Sequence, residues 1–147
     1  MSKLRERYPT EQYNPNDRKL LMDFFVSLQR GNRSMAEDLM RCVLSSNVTV
    51  LVTKLEQNIV GYGEFNKNGF LSIYFHRTAV LKPNREHGIF TDILDEVIRR
   101  AGKSEITAEV SRDAKHLPLM LQSGFAITKE LPRYRYALKR SRLPLFR

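Results

Sequence analysis

The stretch 80–90 constrains the fold of this chain more than any other feature. A strand-like run ends at Val80, a short loop with a proline, an arginine and a glycine follows, and an apolar helix face begins at Ile89. A helix N-terminus presents unpaired backbone amides and the positive end of its dipole, which together can hold a phosphate. The loop contains neither Gly-x-x-x-x-Gly-Lys-Ser/Thr nor Gly-x-Gly-x-x-Gly. A nucleotide P-loop is therefore not predicted, and a dinucleotide fold is disfavoured.

Apolar spacing predicts two helices before the first strands. Residues 14–17 have the composition of a cap and first turn, and apolar residues recur at helical spacing over 20–28. Ser34 and Glu37 have capping-box spacing, which predicts the start of the second helix. Cys42 lies beside the apolar face of that helix and is predicted to be buried as a small side chain.

Strands and helices alternate through the rest of the chain. The pattern predicts strands at 48–53, 59–65, 70–81, 105–110, 125–131 and 134–139, and helices at 89–102 and 113–122. Pro118 is expected in the first turn of its helix, where the missing N–H is tolerated. The order α-α-β-β-β-α-β-α-β-β predicts an α+β single domain, in which helices flank one mixed central β-sheet. We expect this domain to span 14–140, between an irregular N-terminal segment, 1–13, and a basic C-terminal tail, 141–147.

The net charge of +9 is concentrated near the C-terminus. No acidic residue follows Glu130, whereas six basic residues do: Arg133, Arg135, Lys139, Arg140, Arg142 and Arg147. Such a run predicts either contact with nucleic acid or another polyanion, or a solvated surface that aids solubility. Tyr134 and Tyr136 lie among these cations, a pattern that fits single-stranded nucleic acid and equally fits a hairpin with a basic outer face.

Composition favours an intracellular protein. The charged residues 1–7 are not followed by an apolar stretch, so a secretory signal is not expected. No apolar run approaches the roughly 18 residues that a membrane helix requires, so no membrane contact is expected. Cys42 is the only cysteine, and an intrachain disulfide is therefore impossible. These features favour a reducing, cytoplasmic setting.

The sequence lacks the residue patterns that metal sites and many hydrolases require. His87 and His116 are isolated, and the sequence has no His-x-x-x-His, Cys-x-x-Cys or carboxylate cluster with ligand spacing. No metal site is therefore predicted. The Gly-x-Ser-x-Gly elbow of many hydrolases is missing, and Cys42 has no histidine near it in sequence.

Three features, in the same order along the chain, resemble the GCN5-related N-acetyltransferase (GNAT) family. The first is the strand that ends at Ala79 and Val80, and the second is Arg85-Glu-His-Gly-Ile-Phe90, which resembles Arg/Gln-x-x-Gly-x-Gly/Ala. The third is Asp113-Ala-Lys-His116 followed by Met120-Leu-Gln-Ser-Gly-Phe125, which resembles Asn-x-x-Ala and Tyr-x-x-x-Gly-Phe. The resemblance covers about 14–140. It implies the GNAT fold and acetyl-CoA as co-substrate.

The resemblance implies that the pantetheine arm of acetyl-CoA bonds to strand backbone and that its pyrophosphate meets the loop. The implied cofactor-binding residues are Ala79, Val80, Arg85, Glu86, His87, Gly88, Ile89, Phe90 and Asp113. A glycine at position 88 would let the backbone approach the phosphates, and the amides of 86–90 could form an anion nest. Arg85 could add a bidentate phosphate contact.

Acetyl transfer to an amine requires a proton acceptor and a site that orients the nitrogen. His76 is the candidate base, since an unperturbed histidine pKa lies near 6.5; an ordinary hydrogen-bonded strand histidine would give the same pattern. Glu109 and Glu64 are alternatives, although each also fits a solvent-facing carboxylate. Tyr136 or Tyr134, on the last strand, could supply the acid that protonates the leaving thiolate.

Two functions remain open from the sequence. The first is an acetyl-CoA-dependent N-acetyltransferase that acts on an unknown amine acceptor. The second is a catalytically inactive GNAT-fold protein that serves as a structural or nucleic-acid- or protein-binding module through its basic C-terminus. Phe90 in place of glycine or alanine, Met120 in place of tyrosine, and the concentrated basic charge favour the second. A third departure from the family pattern, Asp113 in place of asparagine, adds a negative charge near the anionic cofactor.

Overall fold

The computed structural model describes residues 9–67, 69, 71–85 and 88–141. Seven strands form one mixed sheet in the order β1-β2-β3-β4-β5-β7-β6. The strands are β1 Thr10–Gln12, β2 Thr49–Leu55, β3 Asn58–Lys67, β4 Ser72–Val80, β5 Glu105–Ser111, β6 Ala126–Leu131 and β7 Arg135–Arg140; the helices are α1 Arg18–Leu28, α2 Arg33–Ser45, α3 Ile89–Ala101 and α4 Leu117–Gln122. The predicted α+β architecture, with helices on both faces of a mixed sheet, is confirmed.

Only one neighbouring pair of strands is parallel. β4 and β5 run in the same direction because α3 crosses over between them, and every other pair in the sheet is antiparallel. A parallel pair needs such a crossover, since a short turn reverses the chain direction. The carboxyl ends of β4 and β5 therefore lie at the same edge of the sheet.

One face of the sheet packs against α3. Ile89, Ile93, Leu94 and Val97 recur at helical spacing, and all four are fully buried. The helix approaches β3 at a glycine: a Cβ added at Gly63 would lie 2.6 Å from Cγ2 of Ile93. The apolar stripe that the sequence predicts for this helix is therefore confirmed.

The opposite face carries a second apolar cluster beneath α1 and α2. Phe24 and Phe25 of α1 pack with Tyr62 of β3, with Phe25 and Tyr62 edge to face at 5.2 Å between ring centres. Met40 and Val43 of α2 join the same cluster. The helices cover β2 and β3, whereas every residue of β6 except Leu131 is exposed. The sheet is thus covered at one end and open at the other.

The N-terminal part differs from the prediction in three places. The segment 1–13, expected to be irregular, contains β1, which pairs with β2 through Thr10 and Thr53. Asn32, rather than Ser34, caps α2: its side chain accepts a hydrogen bond from the amide of Met35 at 3.1 Å. Cys42 is exposed, so the prediction that it is buried was wrong.

The remaining boundaries agree more closely. Asn14 caps a short 3-10 helix, Pro15–Asp17, as the cap signal at 14–17 indicates. α4 begins at Leu117 rather than at residue 113, and Pro118 lies in its first turn as predicted. No helix within the described ranges combines the length and the apolar character that a bilayer crossing requires.

Candidate active site

β4 and β5 separate halfway along their length. They pair from Ser72–Glu105 to Phe75–Ala108, and the described residues show no pair beyond that point. The separation coincides with a bulge: Arg77 lies opposite Glu64 and Phe75 opposite Phe65, which leaves His76 without a partner on β3. A bulge bends its strand and increases its twist. The backbone edges of β4 and β5 that face this gap are therefore not used by the sheet.

A cavity of about 460 Å³ lies at the gap. Its lining comes from α1, α2 and β3 on one side, and from β5 and α4 on the other, with β4 between them. We call the two parts the helix half, lined by Phe25, Leu28, Gln29, Leu39 and Tyr62, and the strand half, lined by Ala108, Val110, Ala114 and Met120. Ligands commonly bind in clefts of this size, which are mostly apolar with a few polar groups.

His76 lines the cavity at the bulge and is exposed. Its Nε2 bonds to Oδ1 of Asn66, and its ring meets Tyr74 edge-on at 4.5 Å. The Asn66 amide group donates to the carbonyl of Lys67 at 3.3 Å, which leaves Oδ1 as the acceptor. In neutral His76, Nε2 is then the donor and Nδ1 carries the lone pair. Nδ1 of neutral His76 is therefore the atom that can accept a proton.

Glu109 also lines the cavity, but both of its oxygens have partners. Oε2 accepts from the Tyr74 hydroxyl at 2.9 Å, and Oε1 accepts from Nη1 of Arg135 at 2.9 Å. Burial, followed by the hydrogen bond to Glu109, raises the pKa of Tyr74 to about 12. Because its lone pairs are engaged, Glu109 links β4, β5 and β7 and is a poor proton acceptor.

Tyr136 is not among the residues that line the cavity. It packs against the core cluster on the α3 face, and the guanidinium of Arg112 lies 5.1 Å from its ring centre. The same guanidinium lies 5.2 Å from the ring of Tyr134, which is 61% exposed in the turn between β6 and β7. The structure therefore brings His76 and Glu109 to the cavity but leaves Tyr136 outside it.

The loop before α3 ends in a glycine turn. Gly88 has a φ of 76°, a left-handed conformation that glycine adopts without strain, and it is the N-cap of the helix. Nε of Arg85 donates to the Val80 carbonyl at 3.0 Å, which ties the loop to the end of β4. Glu86 and His87, which were predicted to bind the cofactor, lie outside the described residues.

The other predicted cofactor residues lie in different environments, and Val80, Ile89, Phe90 and Asp113 are not among the residues that line the cavity. Ala79 lines it, whereas Val80 and Ile89 are buried in the core, so only their backbone groups can face a ligand. Phe90 is partly buried and contacts His116, with 4.6 Å between ring centres. Asp113 is exposed and accepts a hydrogen bond from the hydroxyl of Ser111.

Glu64 does not line the cavity, but it interacts with Tyr62 and Arg77, which do. Its side chain is 4% exposed and lies 3.1 Å from Nε of Arg77, whose side chain is 53% exposed. The Tyr62 hydroxyl also interacts with the carboxylate. Burial raises the pKa of Glu64, and the charge of Arg77 and the Tyr62 hydroxyl oppose that rise. The signal in sequence was only an acid inside a strand.

His116 is a second cavity residue that the sequence analysis set aside as isolated. It lies at the start of α4, and burial lowers its pKa. The histidine is therefore neutral at physiological pH and contributes a weak dipole rather than a charge. Among the described residues, no group of three or more His, Cys, Asp or Glu side chains is placed to hold a metal ion.

No protein-family model and no curated protein matches this sequence. Solved structures do match, over nearly the full length of both chains. Histone acetyltransferase HPA2 and related acetyltransferase from Corynebacterium glutamicum has a TM-score of 0.77 and 14% identity, and covers 95% of this chain and 99% of its own. An acetyltransferase of the GNAT family from Staphylococcus aureus has a TM-score of 0.68 and 19% identity, with 91% and 98% covered.

A third match is the PaiA N-acetyltransferase from Thermoplasma acidophilum in complex with coenzyme A. Its TM-score is 0.66 and its identity 10%, and the alignment covers 94% of this chain and 100% of that chain. At such identities a structural likeness establishes architecture, while activity depends on the residues of the site. This chain has the GNAT fold.

Proposed function

We propose that this protein is an acetyl-CoA-dependent N-acetyltransferase that acts on an amine. The separation of β4 from β5, with a cavity at the gap, is the observation that carries the proposal. The pantetheine arm of coenzyme A contains two amide groups, and such a group can add to a free strand edge as an extra strand would. The unused edges next to Ala79 and Glu109 offer that opportunity.

The residues around the strand half fit this ligand in size and polarity. Ala108, Val110 and Met120 give an apolar wall for the methylene groups of the arm. The α3 N-terminus, with Gly88 as its cap, would receive the pyrophosphate on its first-turn amides. Arg85, together with Glu86, His87, Ile89 and Phe90, would complete this contact, and Asp113 would lie on the opposite side of the arm.

In the proposed reaction His76 takes a proton from the acceptor. Nδ1 accepts the proton from the ammonium, and the neutral nitrogen then attacks the thioester carbonyl. A C–N bond forms, the C–S bond breaks, and the electron pair leaves with the coenzyme A sulfur, which takes the second proton of the nitrogen, so that an amide and a thiol result. Glu109 holds Tyr74 and Arg135 beside the cavity. Tyr136 takes no part, because its ring is covered by Arg112 and the core.

Calorimetric titration with acetyl-CoA, with plain CoA as comparison, tests the proposal. We expect dissociation constants below about 100 μM, which corresponds to roughly −5.5 kcal/mol. Ala114→Phe, which fills the strand half, should weaken binding at least tenfold. Ala126→Phe, on the exposed strand β6, is the matched control and should bind normally. No heat from the wild-type protein, with an unshifted melting temperature, would reject the enzyme and favour the scaffold alternative.

The role of His76 has its own test. We expect His76→Gln to reduce kcat by about 10²- to 10⁴-fold, the usual contribution of a general base, while acetyl-CoA affinity stays unchanged. The deficit should shrink as the pH approaches the pKa of the acceptor amine, since the amine then loses its proton without help. An unchanged kcat would assign the proton transfer to another group.

A further inference from the structure

The exposed ring of His76 is held by side chains on two sides. Its Nε2 bonds to Oδ1 of Asn66 on β3, and its ring meets Tyr74 edge-on with 4.5 Å between ring centres. Tyr74 is itself fixed, because its hydroxyl donates to Glu109, and Glu109 also accepts from Arg135. An exposed side chain without such contacts changes rotamer freely. The ring is therefore constrained although solvent reaches it.

The bulge in β4 accounts for the contact between the two strands. Asn66 lies directly opposite Tyr74, so their side chains share one face of the sheet. The extra residue on β4 is His76, which has no partner on β3. A bulge re-aims the side chain that it carries. Here the ring is aimed beside Tyr74 and within reach of Asn66.

The amide group of Asn66 is oriented by the neighbouring residue. Its nitrogen donates to the Lys67 carbonyl at 3.3 Å, so Oδ1 is the atom that faces His76. Oδ1 accepts and cannot donate, so Nε2 carries the hydrogen and Nδ1 keeps its lone pair. The amide thus orients the ring without adding a charge beside it.

We propose that Asn66 is a positioning residue, which holds the His76 ring so that Nδ1 meets the acceptor amine at the gap between β4 and β5. This inference rests on the proposed function, because it concerns the base of the same reaction. Asn66 is not among the residues that line the cavity, so it acts through His76 and not on the substrate. Proton transfer requires the two nitrogen atoms within hydrogen-bond reach, and a loss of orientation lowers the rate.

Asn66→Leu keeps a branched side chain but removes the acceptor. With methylamine as the amine probe, we expect kcat to fall by about ten- to a hundredfold, while acetyl-CoA affinity stays unchanged. Asn58→Leu, at an exposed asparagine on the same strand, is the matched control and should change neither. In the His76→Gln background, Asn66→Leu should cost nothing further. Equal losses in the two backgrounds would overturn the inference.

Hydroxylamine separates proton transfer from general damage to the site. It is largely unprotonated at neutral pH, so it needs no base to become a nucleophile. Asn66→Leu should therefore reduce transfer to methylamine and leave transfer to hydroxylamine close to that of wild type. A loss of the same size for both probes would mean that Asn66 only supports the fold.

Asn66→Asp retains an acceptor at the same place and adds a negative charge. The carboxylates of Glu64 and Glu109, on the neighbouring strands, already pair with arginines, and Tyr74 stays protonated because burial raises its pKa to about 12. A new carboxylate beside His76 favours the imidazolium form. We expect normal kcat at high pH, with the fall in rate on acidification shifted to higher pH. A low kcat at every pH, as in Asn66→Leu, would contradict the role of the acceptor.

Nuclear magnetic resonance at low temperature tests the contact without turnover. A hydrogen-bonded imidazole N–H exchanges slowly enough to be observed, whereas a free N–H on an exposed ring exchanges too fast. We expect an Nε2 hydrogen signal, assigned by its loss in His76→Gln, in wild type and Asn58→Leu but not in Asn66→Leu. A missing signal in wild type would overturn the inference whatever the activity.

The two proposals fail in different ways. Transfer to methylamine that Asn66→Leu leaves unchanged would reject the positioning role and leave the transferase intact. An Nε2 hydrogen signal in a protein that neither binds acetyl-CoA nor acetylates methylamine would reject the transferase, and the catalytic role of the contact with it. Transfer that is lost in Asn66→Leu and restored at high pH in Asn66→Asp would support both.

Discussion

Ile93 and Ile127 show how differently the two ends of the sheet are built. Ile93 lies on α3 and is fully buried, with Cγ2 close to Gly63 of β3. Ile127 lies on the edge strand β6 and is 44% exposed. The same side chain is therefore part of a close-packed core in one region and of an open surface in the other. The cavity lies between them, where β4 leaves β5, so stability and ligand binding depend on different parts of the chain.

The largest effect should come from truncating the two isoleucines. We expect Ile93→Ala to lower the free energy of unfolding by about 2–5 kcal/mol, because it leaves a cavity in a fully buried site. Ile127→Ala should change it by no more than about 0.5 kcal/mol, as exposed substitutions usually do. Urea unfolding of both variants measures the difference. Similar losses would mean that the edge is as well packed as the α3 face.

Gly63→Ala tests how closely α3 approaches the sheet. The new Cβ would lie 2.6 Å from Ile93 Cγ2, so we expect a loss of about 1–3 kcal/mol from overpacking. Ile93→Ala should relieve the clash, and the double variant should therefore lose less than the sum of the single losses. Strict additivity, measured by the same unfolding curves, would show that the contact is looser than the distance indicates.

Much of this contrast could be predicted from the sequence where a pattern extends over many residues. The isoleucine, leucine and valine positions of α3 repeat at helical spacing over three turns, and they are the positions that the core buries. The start of α3 at Ile89, directly after Gly88, was also predicted correctly. The acetyltransferase-like order of elements came from these same long patterns.

The sequence failed where the decisive contact comes from distant residues. β1 contains only Thr-Glu-Gln, and nothing in those residues reveals that β2 will pair with them. Glu64 looked like a solvent-facing acid, yet its side chain is 4% exposed and pairs with Arg77. Tyr136 alternated as a strand residue should, but alternation does not show which face meets the cavity. Tertiary packing decides all three.

A smaller effect is expected at the boundary between the two regions. Tyr74→Phe removes the hydroxyl that donates to Glu109, so we expect a loss of about 0.5–1.5 kcal/mol, the usual net value of one hydrogen bond. Tyr134→Phe, at an exposed ring, should have no measurable effect. Thermal unfolding compares them. A neutral Tyr74→Phe would mean that this hydrogen bond adds nothing measurable to the pairing of β4 with β5.

The smallest expected effect is a change in how steeply the free energy of unfolding varies with pH. Burial raises the pKa of Glu64, so its contribution to stability is present at low pH and is lost as pH rises above the ordinary glutamate value of about 4.3. Hydrogen bonds from Arg99 and Arg100 lower the pKa of Glu96, so its contribution is present at neutral pH and is lost in acid. Glu64→Gln should therefore gain relative stability as pH rises, and Glu96→Gln should lose it.

Unfolding midpoints measured from pH 3 to pH 7, against wild type, give both slopes in one series. Opposite signs would confirm that one carboxylate is enclosed and that the other is held by surface cations. The same sign for both would mean that Glu64 is solvated.

The separation of β4 and β5 also has a kinetic consequence. Amides on an edge that no strand covers exchange their hydrogens with solvent through small local fluctuations, whereas amides in a closed ladder wait for larger openings. The ends of β4 and β5 should therefore exchange far faster than Ile73 or Ile106, which lie in the paired part. A ligand seated between the strands would slow the exchange of those amides. Their exchange rate therefore reports whether the cleft is occupied.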